Sequence, residues 1–399
     1  NKAATGLLKI DSISTSQDVL DSTGTNLANQ NIIWNDSANA NYREQFTTIL
    51  NAANQTGQLF GNPRESGKIG GIDTEVYTLS SNQLDLPIFK FQSAVGGVTR
   101  QFEIIPSTIT DSASIYESSP VPGTGLTYTY RSDGSGDSSN NTGFFFLFKQ
   151  GRLESQDFTV DSSVTNFVKS FATSNINDTD VYLYKLDQFG QIAEAWSKVP
   201  SLSGNNAIYN SLSKTERNVY NVVTKANDAI DLVFGDGNFA NIPLGNFRLY
   251  YRISDNAKYG IQSSDMQDVQ LTVPYTDANG AQQTLSLSLS LKSSVYNAAA
   301  TESNDAIKEK ASQVYYSQNR MITAEDYQVV PLSASQEIVK VRSVNRSASG
   351  ISRAKEILDP TGAYSNVSTF AEDGILYREE SIQQFTFNFN NRSDIQSTI

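Results

Sequence analysis

The stretch that decides the fold is one alternating segment, residues 269–291, which reads VQLTVPYTDANGAQQTLSLSLSL. Apolar residues occupy every second position on both sides of the sequence DANG at 277–280. Strict alternation is typical of a half-buried β-strand, and an Asp/Asn/Gly turn between two such runs indicates a hairpin. We therefore predict a β-hairpin with one continuous apolar face and with Ser286, Ser288 and Ser290 on the opposite face.

Two surfaces are candidate partner interfaces. The serine face of the hairpin lacks the Lys and Glu residues that usually keep an exposed sheet edge soluble, which favours contact with another chain. The second surface lies on a helix predicted over Tyr42 to Leu59, where helical spacing places four apolar residues on one face: Phe46, Ile49, Leu50 and Ala53. Packing of this helix in the chain's own core is the equal alternative.

Outward from the hairpin, most of the chain has a β pattern. Short segments rich in Phe, Tyr, Ile, Val and Thr recur from about residue 69, separated by Gly, Pro, Asn and Asp. Such segments at about 8–12-residue spacing are typical of β-sandwiches and barrels. Two further helices are predicted, one over Glu302 to Asn319 and one after an N-cap at Thr323 that Pro331 ends. The predicted fold is β-rich α+β and multidomain, with a small helix-containing C-terminal region.

Three strand predictions are more specific. Phe247–Ile253 is expected to pair with one of two neighbours, Asn218–Thr224 or Ala229–Phe234. Ile338–Val344 and Gln384–Asn388 are expected to be strands near the C-terminal end.

Four segments are predicted along the chain. Residues 1–62 form an extended connector followed by the first helix, and residues 63–172 form a β-rich domain. Residues 173–300 form a second β core, and residues 301–399 form an α/β and loop-rich region. Several domains are expected because single hydrophobic cores rarely grow beyond about 250–300 residues.

Composition excludes many functions. The 399 residues include no His and no Cys, which removes disulfides, thiol catalysis, iron–sulfur clusters and imidazole-based sites. The net charge of −12 opposes sequence-independent nucleic-acid binding. The longest apolar run, residues 144–148, is far shorter than the ~20 residues of a membrane span. We predict no cofactor, metal, nucleic-acid partner, membrane insertion or small-molecule substrate. The first residue is Asn rather than Met, so we expect a longer polypeptide.

The sharpest local signal is the turn Phe234-Gly235-Asp236-Gly237. Asp-Gly between apolar flanks marks a tight turn, because Gly adopts positive φ without steric cost. We interpret this turn as a fold determinant rather than a site of chemistry. Gly235 and Gly237 are expected to hold special backbone conformations, and Asp236 is expected to cap the turn.

The surroundings of this turn resemble a signature of the baseplate-J-like family. The sequence DLVFGDG at 231–237 is followed by IPLG at 242–245 and FRLYYR at 247–252. The sequence NRMITAEDY at 319–327 resembles a second signature of that family, a helix-start motif. The residues of this motif are Arg320, Thr323, Asp326 and Tyr327. The two signatures occur in the family's order, and together they cover roughly residues 180–345.

The resemblance implies a structural role and no enzymatic activity. It implies a wedge subunit of the tail baseplate of T-even-type contractile phages, similar to those of cyanophages, with residues 173–300 as its baseplate-J-like core. Such a subunit forms an inner ring around the hub and relays baseplate rearrangement to sheath contraction. The implied partners are a second copy, other wedge subunits, the central hub and the sheath initiator. The implied location is the virion, after assembly in the host cytoplasm.

Two other functions stay open. A virion or cell-surface carbohydrate-binding adhesin would have similar aromatic strands and polar loops. A glycan hydrolase would need two carboxylates about 5–10 Å apart. Adjacent acid pairs occur at 325–326, 372–373 and 379–380, but chance proximity is expected among 42 acidic residues.

Overall fold

A computed structural model defines two compact units, Asn1–Glu302 and Ser303–Ile399. The structure describes residues 1–54, 60–79, 89–109, 115–118, 126–200, 202, 217–237, 240–305, 307–308, 311, 315, 322–334 and 340–343.

The described part of the first unit is built mainly from β-strands. Its helix is α1 (Tyr42–Ala53), and its strands are β1 (Thr5–Thr15), β2 (Ile32–Ile33), β3 (Glu65–Ile69), β4 (Ile72–Leu79), β5 (Phe89–Val95), β6 (Val98–Ile105), β7 (Ser107–Ile109), β8 (Ile115–Glu117), β9 (Leu126–Ser132), β10 (Gly143–Gln150), β11 (Arg152–Val160), β12 (Val168–Phe171), β13 (Ile176–Leu186), β14 (Ile192–Lys198), β15 (Val219–Thr224), β16 (Ile230–Phe234), β17 (Gly245–Ile253), β18 (Val269–Thr276) and β19 (Gln282–Leu291).

The first sheet is organised around β10. Its strand order is β18-β19-β1-β10-β9-β4-β3, with β2 beside β1, and with β6 and β5 on a branch from β10. The branch arises because residues 143–145 of β10 pair with β9, whereas residues 147–150 pair with β6. Apolar side chains of this sheet and of α1 share one buried core.

The prediction of an extended connector is wrong for residues 5–15, which form the strand β1. This strand pairs with β10 on one side and with β19 on the other, and its Leu8, Ile10 and Ile13 are fully buried. Its alternation was obscured because two polar residues, Asp11 and Ser12, separate Ile10 from Ile13 where the pairing with β19 shifts register. The first sheet therefore combines residues from three of the predicted segments, because strands distant in sequence pair beside β10.

The predicted hairpin is confirmed as β18 and β19. Apolar residues pair across the two strands in register, for example Val273 with Leu285. In the turn, Asp277 Oδ1 accepts hydrogen bonds from the backbone N–H groups of Asn279 and Ala281, both at 2.9 Å. Gly280 adopts the positive φ of +82° that this turn requires. β19 also pairs with β1, so it is an interior strand rather than a sheet edge.

The second sheet has the order β11-β17-β13-β14-β15-β16-β12. It curls back on itself, because the rings of Phe158 on β11 and Phe171 on β12 are 5.6 Å apart although these strands end the order. The predicted partner of β17 is wrong: β17 pairs with β11 and β13, whereas β15 and β16 pair with each other. The curled sheet allows β17 to face β16 across a core instead of lying beside it.

The second unit contains α2 (Asp326–Ala334). The prediction that Pro331 ends this helix is wrong, because α2 continues for three residues beyond it. A proline removes its own amide donor and its ring crowds the carbonyl four residues earlier, but the following turn still forms at a cost in stability. Residues 340–343 of the predicted strand at 338–344 are irregular. The strand at 384–388 and most of the helix at 302–319 lie outside the described residues.

The fold is β-rich α+β and multidomain, as the sequence predicts. No helix among the described residues is long and apolar enough to cross a membrane.

The burial of β1 leads to a stability prediction. Ile10→Ala should lower the free energy of unfolding by about 2–5 kcal/mol, because it removes a fully buried side chain from the centre of the first sheet. The matched control is Ile33→Ala on neighbouring β2, where the side chain is 49% exposed and the loss should be about 0.5 kcal/mol or less. Urea denaturation of both variants measures the difference. Equal losses would contradict the central position of β1.

Candidate functional site

The predicted turn lies beneath the core of the second sheet, where β16 ends. Phe234 is fully buried, and its ring lies 5.6 Å from Trp196 and 6.4 Å from Phe247. Its backbone N–H donates to the carbonyl of Phe167 at 2.9 Å. The first residue of the signature is therefore a core residue that joins three strands of the curled sheet.

Different structural constraints require glycine at the two glycine positions of the turn. Gly237 has a φ of +88°, which confirms the special conformation predicted for it. Gly235 does not have positive φ, so that part of the prediction is wrong. It is required by close approach instead, because a Cβ there would lie 2.3 Å from the Cβ of Ala240. The capping role of Asp236, which is half-buried, stays a prediction.

A buried cluster of charges joins the two sheets. Its centre is the guanidinium of Arg252, which is fully buried although it belongs to the apolar strand β17. Five ionisable side chains meet there, three acids and two bases: Glu103 of β6, Glu117 of β8, Lys149 of β10, Asp180 of β13 and Arg252 of β17. β6 and β10 belong to the first sheet, and β13 and β17 belong to the second.

Arg252 binds its acids through separate nitrogens. Nη1 donates to Glu103, and Nη2 donates to Glu117 at 2.6 Å. Glu103 also accepts the backbone N–H of Leu153 at 3.0 Å, which ties it to the first residues of β11. Because a buried charge is costly unless it is paired and hydrogen-bonded, these contacts are what allow an arginine at this position.

The pKa values of the three acids in the cluster are shifted in opposite directions. Burial raises the pKa of Glu103 and that of Asp180. Burial also acts on Glu117, but the charges of Arg252 and Lys149 outweigh it and lower the pKa of this carboxyl. Fully ionised, three acids and two bases would leave one net negative charge inside the protein. The raised pKa values make Glu103 and Asp180 the carboxyls of the cluster that gain a proton most readily.

This cluster was not predicted from the sequence. Arg252 lies within the signature with no predicted role, and none of its four partners stands out by sequence pattern. A usable signal was present, because an arginine that follows two tyrosines in an apolar strand requires a buried acid. The identity of the acids depends on which strands meet at the junction, and that information is not local.

The serine face of the hairpin lies beside a shallow polar groove. Ser290 Oγ donates to Asp11, whose carboxylate also binds Lys292 Nζ at 2.6 Å. Ser288 Oγ donates to Asp268 at 2.7 Å. Both serines therefore have partners inside the chain, and Ser286 is half-buried. Contact of this face with another chain stays a prediction.

The helix proposed as a partner interface packs inside the chain instead. Phe46, Ile49, Leu50 and Ala53 are all fully buried in the core of the first sheet. Trp34 lies edge-on to Phe46 at 5.2 Å, and Phe144 of β10 stacks on Phe46 at 6.2 Å. The apolar face of α1 is covered by its own sheet, so the internal alternative is correct.

The helix-start motif has the predicted cap. Asp326 Oδ2 accepts the backbone N–H of Thr323 at 2.8 Å, and Thr323 Oγ1 accepts the N–H of Asp326 at 3.2 Å. This reciprocal pair is a capping box. The capping box uses Asp326, which belongs to one of the adjacent acid pairs considered for a hydrolase. Tyr327 is exposed, and Arg320 lies outside the described residues.

The fold and the buried cluster define a β-rich protein with two large sheets and the two-stranded sheet β7-β8, in which charged side chains join the sheets. The chain belongs to the family described as a domain of unknown function (DUF8360), whose model matches residues 6–294. No curated protein and no solved structure matches the chain. The matched range includes both sheets, the turn at 234–237 and all five members of the cluster, but not the helix-start motif.

The crowding at Gly235 leads to a second prediction. Gly235→Ala should lower the free energy of unfolding by about 1–3 kcal/mol, because the added Cβ meets the side chain and backbone of Ala240. Gly67→Ala is the matched control, since Gly67 also lacks positive φ and its nearest neighbour would be 3.4 Å away. The control should change stability by about 0.5 kcal/mol or less. Thermal and urea unfolding compare the two, and similar values would argue against close approach as the reason for Gly235.

The buried arginine leads to a third prediction. Arg252→Met should destabilise the protein by about 3–5 kcal/mol, because it leaves buried carboxylates without their cation. Arg248→Met on the same strand is the control. Arg248 pairs with Asp157 at 2.7 Å, but both side chains are partly exposed, so the loss should be about 1 kcal/mol or less. Denaturant unfolding that ranks the two variants equally would contradict the role of the cluster.

Proposed function

We propose that this chain is a structural subunit of a contractile-phage tail baseplate wedge. The observation that carries the proposal is the pair of baseplate-J-like signatures, at residues 231–252 and 319–327, in the order of that family. The positions of the first signature support a framework role. Phe234 is a core residue, Gly235 contacts Ala240 closely, and Arg252 holds the sheet junction.

The junction also suits a protein that transmits movement. Two sheets joined by a dense set of buried contacts behave as a rigid body, and rigid elements are what carry a displacement from one interface to another. A wedge subunit that relays baseplate rearrangement to the sheath needs such a body. The proposal includes no catalytic step.

The proposed assembly follows from the same resemblance. The partners are a second copy of the chain, other wedge subunits, the central hub and the sheath initiator, within the virion baseplate. Six wedges around a hub require contacts between unlike surfaces that close into a ring. The groove beside Ser288 and Ser290 is the described surface that we propose for one of these contacts, because the neutral hydrogen-bonding side chains of Asn140, Ser263 and Gln267 also line it.

Co-expression with the other subunits of its tail tests this function. Electron cryomicroscopy should show this chain in wedges and six-fold rings when the full set is present, and in neither when one wedge partner is omitted. The omission series is the control for self-association.

Two other outcomes would contradict the baseplate role. The adhesin would be supported, and the baseplate role contradicted, by two results together. The chain would stay unassembled when every tail subunit is co-expressed, and the isolated chain would bind defined glycans on an array. Release of sugar from host polysaccharide would contradict the baseplate role in favour of a hydrolase.

A further inference from the structure

Lys149 lies between two carboxyl groups at the junction of the sheets. Its Nζ is 3.1 Å from Oε2 of Glu117 and is hydrogen-bonded to Oδ1 of Asp180. The side chains of Lys149, Glu117 and Asp180 are 12%, 3% and 3% exposed. An amine, a carboxyl carbon and a second carboxylate therefore meet where water is largely excluded. These are the three components of an amide-forming condensation.

An irregularity of β13 places Asp180 at this point. The ladder between β13 and β17 pairs Asn177 with Arg252 and then Val181 with Tyr251, so the three residues between bulge out of register. Bulges re-aim side chains and are frequent beside functional sites. Here the bulge directs Asp180 to Lys149 on β10, a strand of the other sheet.

The electrostatics give the two acids different roles. Burial raises the pKa of Asp180, which favours the neutral acid and thus the better electrophile. Against the effect of burial, Arg252 and Lys149 lower the pKa of Glu117, which keeps this carboxyl in its ionised form beside the amine. Two acids pushed apart in this way are the pattern expected of an acid and base pair.

We propose that Lys149 and Asp180 condense to an intramolecular amide that covalently joins the two sheets. Contact within one folded site lowers the barrier to reaction, because well-oriented groups reach effective molarities of about 10⁵–10⁸ M. The bond would hold whichever assembly the chain joins.

The step balances without an outside reagent. Glu117 takes one proton from the Lys149 ammonium, and the free amine attacks Cγ of protonated Asp180. The Cγ–Oδ1 bond then breaks, and the departing hydroxyl takes a second proton from the nitrogen to leave as water. The amide keeps one hydrogen on nitrogen, and the first proton stays on Glu117.

The site already holds partners for the charge and for the product. Asn177 Nδ2 donates to Asp180 Oδ2 at 2.8 Å, and Arg252 Nε is 3.5 Å from the same oxygen. The Asn177 donor and the nearby positive charge of Arg252 would stabilise the oxyanion on Oδ2 and then the amide carbonyl. Glu117 lies beside the nitrogen that becomes the amide N–H. Condensation also removes two buried charges of opposite sign, which lowers the cost of burial.

A second Lys–Asp pair serves as an internal control. Lys292 Nζ is 2.6 Å from Asp11, but both side chains are about one-third exposed, and the other group on this carboxylate is the hydroxyl of Ser290. This pair has the amine and the carboxyl but lacks the dry site and the adjoining acid. It should remain an ordinary ion pair.

Intact mass spectrometry of the denatured full chain tests the proposal. The wild-type chain should be lighter than its sequence mass by one water, about 18 Da, and peptide mapping should recover residues 149 and 180 in one branched peptide. Lys149→Arg should restore the full mass, and Glu117→Gln should restore it wholly or slow the loss. Lys292→Arg should keep the loss.

A fourth variant separates chemistry from folding. Asp180→Asn keeps the shape of the side chain and should lose ammonia, about 17 Da, instead of water. Circular dichroism of each variant confirms that it folds. A wild-type chain at its full sequence mass would overturn the proposal, as would a loss that survives Lys149→Arg or disappears in Lys292→Arg.

Discussion

The constraint on which the structure depends is the burial of one guanidinium between two sheets. Arg252 is accommodated only because Glu103 and Glu117 come to it from the first sheet's side of the junction and Asp180 comes from its own sheet. A buried charge without such partners costs several kcal/mol, so the strands that bear them are held in one arrangement. Hydrophobic burial stabilises each sheet, but it is non-directional. The charged cluster is directional, because its ion pairs join particular residues of the two sheets.

Several unusual local features are explained by this junction. The bulge in β13 exists where Asp180 leaves the ladder, and the branch in the first sheet lets β6 and β10 present Glu103 and Lys149 side by side. The close packing around Gly235 is a second consequence of how the second sheet folds. The curled sheet must bring β16 and β17 face to face across a core, and a Cβ at this turn would meet Ala240. A framework of this kind fits a role in holding and transmitting shape, which is why the signature residues support a structural function.

Patterns within about ten residues predicted much of this architecture. The hairpin at 269–291, the strands now numbered β15, β16 and β17, and the start of α1 follow from alternation, helical spacing and turn chemistry. Predictions failed where distant segments decide. β1 has two polar residues between Ile10 and Ile13, so its alternation is broken and its burial depends on the two strands beside it. The apolar face of α1 looks the same whether a partner or its own sheet covers it. Pro331 weakens α2 without ending it.

The sequence by itself determined the β-rich class, the hairpin and its turn, the capping box at Thr323, and the exclusion of thiol and imidazole chemistry. These follow from period, from backbone preferences at Gly and Asp, and from composition, all of which are local or global properties of the chain. Only the tertiary structure decided the pairing of β17, the central position of β1, and the meeting of Lys149, Glu117 and Asp180. These residues are 31 to 63 positions apart in the chain. No local rule brings them together, because their proximity depends on how the two sheets pack.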